Sequence, residues 1–199
     1  MKILLVGANG TIGKAVSAEL EARHEIIAVG RTSGRYQADI TDIDSLKALF
    51  DKVGRVDAVI SAAGNLPFAP LSEFTPELYK QGWQDKLQGQ INLVLAGSDY
   101  VDDGGSFTLT SGILSEVPIR FGSAASAVNA ALEGFARAAA IELPRGQRIN
   151  VVSPTVLTES LPDYGPYFRG FESVPAARVA LAYSRSAEGA QTGQVFKVQ

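Results

Sequence analysis

The chain begins with an apolar run, Ile3-Leu4-Leu5-Val6, that passes straight into Gly7-Ala8-Asn9-Gly10-Thr11-Ile12-Gly13. An apolar strand that breaks into spaced glycines and then opens a helix is how a backbone comes close to a phosphate group. The glycines remove the Cβ atoms that would clash. The helix that follows, over Ile12 to Leu20, aims its free N–H groups and positive dipole end at the anion. The spacing is G-x-x-G-x-x-G rather than the commoner G-x-G-x-x-G, and such a motif has force only in context. The context is present: a strand before it, an amphipathic stretch after it, and a second strand over Glu25–Val29 that ends at Gly30-Arg31. Gly7, Asn9, Gly10, Thr11, Ile12 and Gly13 are therefore candidate nucleotide-binding residues; the alternative is a purely structural tight turn.

The rest of the chain alternates. Short apolar, β-branched runs predict strands at Lys2–Val6, Glu25–Val29, Tyr36–Asp39, Asp57–Ser61, Ser106–Thr110, Ile149–Ser153 and Gln194–Val198. Helical spacing predicts helices at Thr11–Arg23, Ile43–Lys52, Trp83–Tyr100, Ser123–Leu143 and Ala176–Ser186. Alternation of this kind predicts a Rossmann-like α/β fold, a doubly wound parallel sheet of about seven strands with helices on both faces. At 199 residues it is expected to be one domain, spanning 1–199. Ligands of such sheets sit beyond the carboxyl ends of the strands.

Composition narrows the function. There is no cysteine, hence no thiol nucleophile or thiolate metal site, and with a single histidine, His24, no metal is expected. A net charge of −3 without a basic cluster argues against nucleic acid. No apolar stretch approaches a membrane span, and a soluble, cytoplasmic protein is the simplest reading. His24 precedes the second strand, away from the ligand end of the sheet.

The residues just after the strands carry the chemistry. Where an NAD site places an acidic residue on the ribose 2′-OH, this chain has Gly30-Arg31-Thr32-Ser33. A guanidinium and two hydroxyls suit a 2′-phosphate, which favours NADP(H) over NAD(H); the alternative is a solvated arginine on a turn. Asp39, followed by Ile40, either hydrogen-bonds the adenine amino group or contributes to a helix cap beside Thr41 and Asp42. Small residues after the fourth strand, Ala62-Ala63-Gly64, let a cofactor lie against the backbone.

These marks, with Leu109-Thr110-Ser111-Gly112, Glu133-Gly134-Phe135 and Arg148-Ile149-Asn150-Val151-Val152-Ser153-Pro154, occur in the order of the short-chain dehydrogenase/reductase family, which the chain resembles over nearly its whole length. The resemblance implies a nicotinamide cofactor, carbonyl/alcohol redox chemistry and a homodimer or homotetramer. It also implies that Pro154 and Thr155 flank the nicotinamide, although the family usually has glycine where Thr155 stands.

The departures are at the chemistry. The family's tyrosine and lysine, four residues apart on the long helix, fall here on Ala125 and Asn129, and no tyrosine of the chain has a lysine four residues on. Ser111 matches the serine that bonds the substrate oxygen, or else caps local backbone. Lys86 falls where the family has an asparagine on the preceding helix. Asparagine at 129 and lysine at 86 suggest an exchange, with Lys86 supplying the positive charge; the alternative is an exposed helix lysine.

Between Val29 and Tyr36 only a turn is expected, leaving the adenine side open. The segment 157–174 is the expected substrate lid, with Tyr164, Tyr167, Phe168 and Phe171 either lining an apolar pocket or packing the loop down. Tyr164 or Tyr167 is a candidate substitute proton donor, and Arg120 either meets an anionic substrate or is surface charge. Three functions compete: an NADP(H)-dependent oxidoreductase on a small carbonyl, alcohol or quinone-like compound; a cofactor-binding sensor or regulatory protein without catalysis; and a partner-binding domain without a cofactor.

Overall fold

The computed structural model describes residues 1–199. Seven parallel strands form one sheet: β1 (Lys2–Val6), β2 (Glu25–Gly30), β3 (Tyr36–Gln37), β4 (Val56–Ser61), β5 (Val101–Thr110), β6 (Arg148–Pro154) and β7 (Val195–Val198), in the order β3-β2-β1-β4-β5-β6-β7. The order reverses between β1 and β4, whose register pairs Val6 with Ser61. The crevice at that switch point is where the glycine run emerges.

Helices cover both faces. On one lie α2 (Ile43–Val53), α4 (Gly89–Gly97) and α5 (Ser123–Ala139); on the other lie α1 (Thr11–Leu20) and α7 (Ala176–Glu188). Alternate residues of β1 serve the two cores. Leu4 and Val6 pack with Leu46, Phe50, Leu93, Phe107 and Leu132, whereas Ile3 and Leu5 pack with Val16, Leu20, Val179 and Tyr183. A strand apolar on both faces is thereby buried on both. Tyr183 is the largest fully buried side chain; its phenol hydrogen-bonds Thr110 Oγ1, so the ring is buried with its polar end satisfied.

Several boundaries differ from the sequence-based expectation. β3 is two residues long because its pairing to β2 stops at Gly30–Gln37, and Asp39 turns into an Asp42-capped helix. The helix expected over Trp83–Tyr100 is a π-helical turn (Trp83–Gln88) followed by α4, and α3 (Pro76–Gly82), capped by Thr75, runs into it from before. α5 ends at Ala139, and 140–143 continue as turns because Pro144 cannot extend the helix. β5 begins five residues early, at Val101, through a register shift opposite β4.

The segment 157–174 is folded. Leu157 and Val174 form a parallel bridge, closed by Thr158 N–H to Val174 O (2.9 Å) and Val174 N–H to Val156 O (3.1 Å). Between these ends are a 3-10 turn, Thr158–Ser160, and the short α6 (Leu161–Tyr164). No helix is long and apolar enough to cross a membrane.

Candidate active site

The glycine run is forced by contact. A Cβ on Gly7, whose φ is +82°, would lie 2.6 Å from Ala62 O, and one on Gly13 would lie 2.1 Å from Gly7 O. Gly7 therefore lets β1 and β4 approach, and Gly13 lets α1 start against the loop. Gly10 is exposed, and its Cβ position is 3.4 Å from Gly7 O, which leaves room above the loop. The first turn of α1 has no side-chain cap and no acidic residue, so its N–H groups face the cleft uncompensated.

Two connected cavities run along the switch point. The first, about 290 Å³, lies between Gly7, Gly10, Arg31, Ile40, Ala63 and Asp85. The second, about 400 Å³, lies between Ile12, Leu66, Phe68, Lys86, Leu157, Tyr164 and Phe168. Ala62, Gly64 and Asn65 border both. An elongated cleft, with the uncapped N-terminus of α1 at its middle and an apolar chamber at one end, has the shape of a dinucleotide.

Arg31 reaches across the first cavity. Its Nε lies 3.6 Å from Asp39 Oδ2 and its Nη2 lies 3.6 Å from Asp85 Oδ2. Asp39 Oδ1 accepts from Thr41 N (2.9 Å) and Thr41 Oγ1 (2.8 Å); this local bonding, more than Arg31, holds the carboxyl below its ordinary pKa. Asn9 Nδ2 donates to Ser33 Oγ at 2.7 Å, tying the glycine loop to the turn after β2, while Thr32 O accepts from Gln37 Nε2. Asn9, Thr32 and Ser33 shape the rim rather than the wall.

The second cavity is organised around Lys86, on the π turn. Lys86 is buried, and its Nζ donates to Asn129 Oδ1 at 2.8 Å and to the Ser111 carbonyl at 2.9 Å. Lysine at 86 and asparagine at 129 are thus direct partners, one from each of two neighbouring helical segments. No carboxylate pairs with the ammonium, and burial lowers its pKa from 10.5 to about 8. Gly64, at φ +123°, sits on the lysine stem: a Cβ there would come within 2.7 Å of Lys86 Cγ.

Ser111 takes part through its main chain. Its hydroxyl points the other way and donates to the buried Glu133 carboxylate at 2.9 Å. Pro154 and Thr155 are buried one step behind the wall, which Val156 and Leu157 form; Thr155 N–H bonds Val198 O and its hydroxyl bonds Glu172 O. Of the loop aromatics, Tyr164 and Phe168 face the second cavity. Tyr167 packs edge-on against Phe121, and Phe171 against Phe168. Phe168 shares a buried cluster with Ala125, Ile113 and Val156, so apolar packing surrounds Ala125. His24 is remote, held by Glu188 at 2.7 Å, and the Arg120 guanidinium lies over the Phe121 ring.

Three residues without a motif complete the site. Asp85 accepts from Asn65 N (3.2 Å) and Asn65 Nδ2 (3.3 Å), fastening the loop after β4 to the π turn. Gln90, fully buried, bonds Thr110 N, Thr110 O and Lys86 O, locking the π turn to β5. For Asp85 and Gln90 the only sequence signal is polarity within a predicted helix, and for Asn65 its place after the small residues that follow β4; neither names a partner.

The fold and cleft define a class, the Rossmann-type α/β proteins with a dinucleotide cradle at the switch point of the sheet. Residues 6–192 match the family described as enoyl-(acyl carrier protein) reductase. The chain belongs to the short-chain dehydrogenase/reductase family. It is 29% identical over 147 residues to hydroxynaphthalene reductase arp2 of Aspergillus fumigatus, covering 71% of this chain and 54% of that protein. It is 31% identical over 166 residues to tetrahydroxynaphthalene reductase PfmaG of Pestalotiopsis fici, covering 71% of this chain and 60% of that one. The chain thus spans little more than half the length of these relatives. Among solved structures, protein lin1944 from Listeria innocua superposes with a TM-score of 0.98 at 53% identity, over 100% of both chains. A small-chain dehydrogenase in complex with NADPH superposes at 0.89 with 25% identity, over 100% of this chain and 96% of that one.

Proposed function

We propose that this protein is an NADP(H)-dependent oxidoreductase that acts on a small apolar carbonyl or alcohol, or a quinone-like compound, and moves the proton through Lys86. The observation that carries the reading is the buried Lys86 ammonium, held between Asn129 Oδ1 and Ser111 O at the edge of an apolar chamber. The NADPH bound to a structural neighbour and the aromatic substrates named for two relatives support it.

In this reading the loop from Gly7 to Gly13 and the first turn of α1 hold the pyrophosphate. Arg31, Thr32 and Ser33 take the 2′-phosphate, Asp39 and Ile40 flank the adenine, and Pro154 and Thr155 back the nicotinamide side. The cofactor supplies the hydride. An ammonium has three protons, and two of those on Nζ are engaged by Asn129 and Ser111. The third is free for a substrate oxygen. After giving it up, the neutral amine keeps both remaining hydrogen bonds, so proton transfer needs no rearrangement of the site. A pKa near 8 suits a group that donates near neutrality and is reprotonated by solvent. Leu66, Phe68, Tyr164 and Phe168 exclude water and orient an apolar substrate.

A second reading, a cofactor-binding sensor without turnover, is favoured by one observation: the Ser111 hydroxyl is committed to Glu133 rather than to the chamber. The same proposal places the protein in the cytoplasm as a homodimer or homotetramer. Exposed Trp83 and Leu95, on the π turn and α4, support the assembly, which light scattering tests.

Titration calorimetry with NADPH, NADP⁺ and NADH, followed by turnover on naphthols, quinones and aryl ketones, tests the reading. Micromolar NADPH binding with weaker NADH, and quinone or ketone reduction that Lys86→Met removes, is the expected result. Tight binding of one redox form without turnover would leave the sensor, and no binding would end both readings.

A further inference from the structure

The features that make Lys86 a proton donor also make it a nucleophile. We propose that the Lys86 amine captures aromatic aldehydes that enter the apolar chamber, forming a covalent imine. The inference rests on the reading of Lys86 as the group facing the substrate carbonyl.

Both groups in contact with Nζ, Asn129 Oδ1 and Ser111 O, are neutral acceptors. A neutral amine satisfies them with its two N–H bonds, which leaves its lone pair for the remaining tetrahedral direction. Neighbouring charges do not hold the ammonium form. Asp85, the adjacent residue, pairs with Arg31 and Asn65, and Glu133 is engaged by Ser111. The other titratable side chain on the chamber wall is the Tyr164 phenol. A lysine desolvated in an apolar pocket, with no carboxylate partner, is the environment in which amines react with carbonyls. Gly64 over the lysine stem and Gln90 on the Lys86 carbonyl fix the direction of the side chain. Leu66, Phe68, Tyr164 and Phe168 give an aryl group a surface to pack on, so the ring is held while the carbonyl carbon meets Nζ.

The chemistry balances simply. The Nζ lone pair adds to the aldehyde carbon, the carbonyl oxygen leaves as water with both amine hydrogens, which gives up the hydrogen bonds to Asn129 and Ser111, and a C=N bond replaces C=O. Reduction of that imine by an external hydride and a proton yields a secondary amine that cannot hydrolyse.

The experiment treats the whole protein with 2-naphthaldehyde and sodium cyanoborohydride at pH 8 and reads intact mass and peptide maps. Expected is one adduct per chain, with the aldehyde's mass less one oxygen, located at Lys86 at least tenfold faster than at the exposed Lys47 or Lys197. Glyoxylate, a charged aldehyde that the apolar wall rejects, is expected to lose this preference. Lys86→Arg should abolish the fast adduct; because that variant can fail to fold, the site preference within the unaltered protein decides the question. Adducts spread over surface lysines, with Lys86 the slowest, would overturn the proposal. Labelling of Lys86 without any NADPH binding would keep the capture and remove the oxidoreductase reading. NADPH-dependent turnover without labelling would do the reverse.

Discussion

At the scale of the residue, the proposed function turns on the hydrogen bond between Lys86 and Asn129 on neighbouring helical segments. Lys86→Met should lower turnover by roughly 10²–10⁴-fold while changing the NADPH dissociation constant little, which separates a proton donor from a cofactor anchor. Carbonyl reduction should fall as pH rises past about 8, where the folded-state amine loses its proton. The same group has a signature in stability. Its pKa is about 8 folded against 10.5 in the free side chain, so below 8 the fold bears the full cost of a buried charge. Between 8 and 10.5 the unfolded chain holds the proton more tightly, and stability rises with pH, by roughly 3 kcal/mol from this group at most. Urea melts at pH 7.5 and 9.5 check the sign, and Lys86→Met should remove the rise. Asp85 offers a second test. Asp39 and Asp85 both face Arg31, so either carboxylate opposes a 2′-phosphate there. Asp85→Asn should tighten NADPH binding several-fold with little effect on NADH, read by calorimetry; equal changes for both cofactors would assign Asp85 to structure alone. An exchange of Lys86 and Asn129 between neighbouring helices was legible, because the resemblance assigns each position the residue type of the other. The burial of Lys86 was not, since a lysine on a helix is more often exposed.

At the scale of the element, the π turn is the device that sequence periodicity hides. A π turn shifts the register of a helix by one residue, so the apolar spacing from Trp83 to Tyr100 reads as one continuous helix while the chain turns Lys86 and Gln90 inward. Gly64 is its counterpart on the loop after β4. Gly64→Ala combines a positive φ with a Cβ at 2.7 Å from the lysine stem. It should cost about 1–3 kcal/mol and impair turnover, because Lys86 must move; chemical denaturation beside activity reads both. The loop 157–174 was legible as an element but not in its parts. Four aromatics within eight residues announce an apolar contact, yet which of them faces the cleft depends on α6, a single turn. Phe168, buried beside Ala125 and Val156, should be the costly one: Phe168→Ala is expected to lose about 3 kcal/mol, against less than 1 kcal/mol for the half-exposed Tyr167.

At the scale of the molecule, alternating short apolar strands and amphipathic helices were enough for a doubly wound sheet, since few architectures bury both faces of so many strands. The cross-connections were not legible, because they join residues far apart in the chain. Arg23 and His24, after α1, meet Glu188 at the end of α7, and Ser184 completes the group. Together these hold the Glu188 carboxyl down to about 2, Arg23 contributing most. The contribution to stability is complete above the ordinary glutamate range and disappears as pH falls through about 2. The Arg23 and Glu188 side chains remain in contact with solvent, so Glu188→Gln should cost under 1 kcal/mol at pH 7 and flatten the acid limb of a thermal-melt series.

The two-residue β3 has a consequence for how the protein meets the cell's ionic conditions. Only a turn follows β2, and the adenine end of the cleft is walled by Val6, Ala38, Ile40, Ala62 and Ala63, with the Arg31 guanidinium reaching across it. On the proposed function, much of the hold on the cofactor lies in charge, at Arg31 and the α1 N-terminus, and charge at an exposed site is screened by electrolyte. Cofactor residence should therefore shorten steeply between low and physiological salt, making this chain one that exchanges its cofactor with the surrounding pool rather than retaining it. Stopped-flow release of NADPH across a salt series would measure that exchange directly.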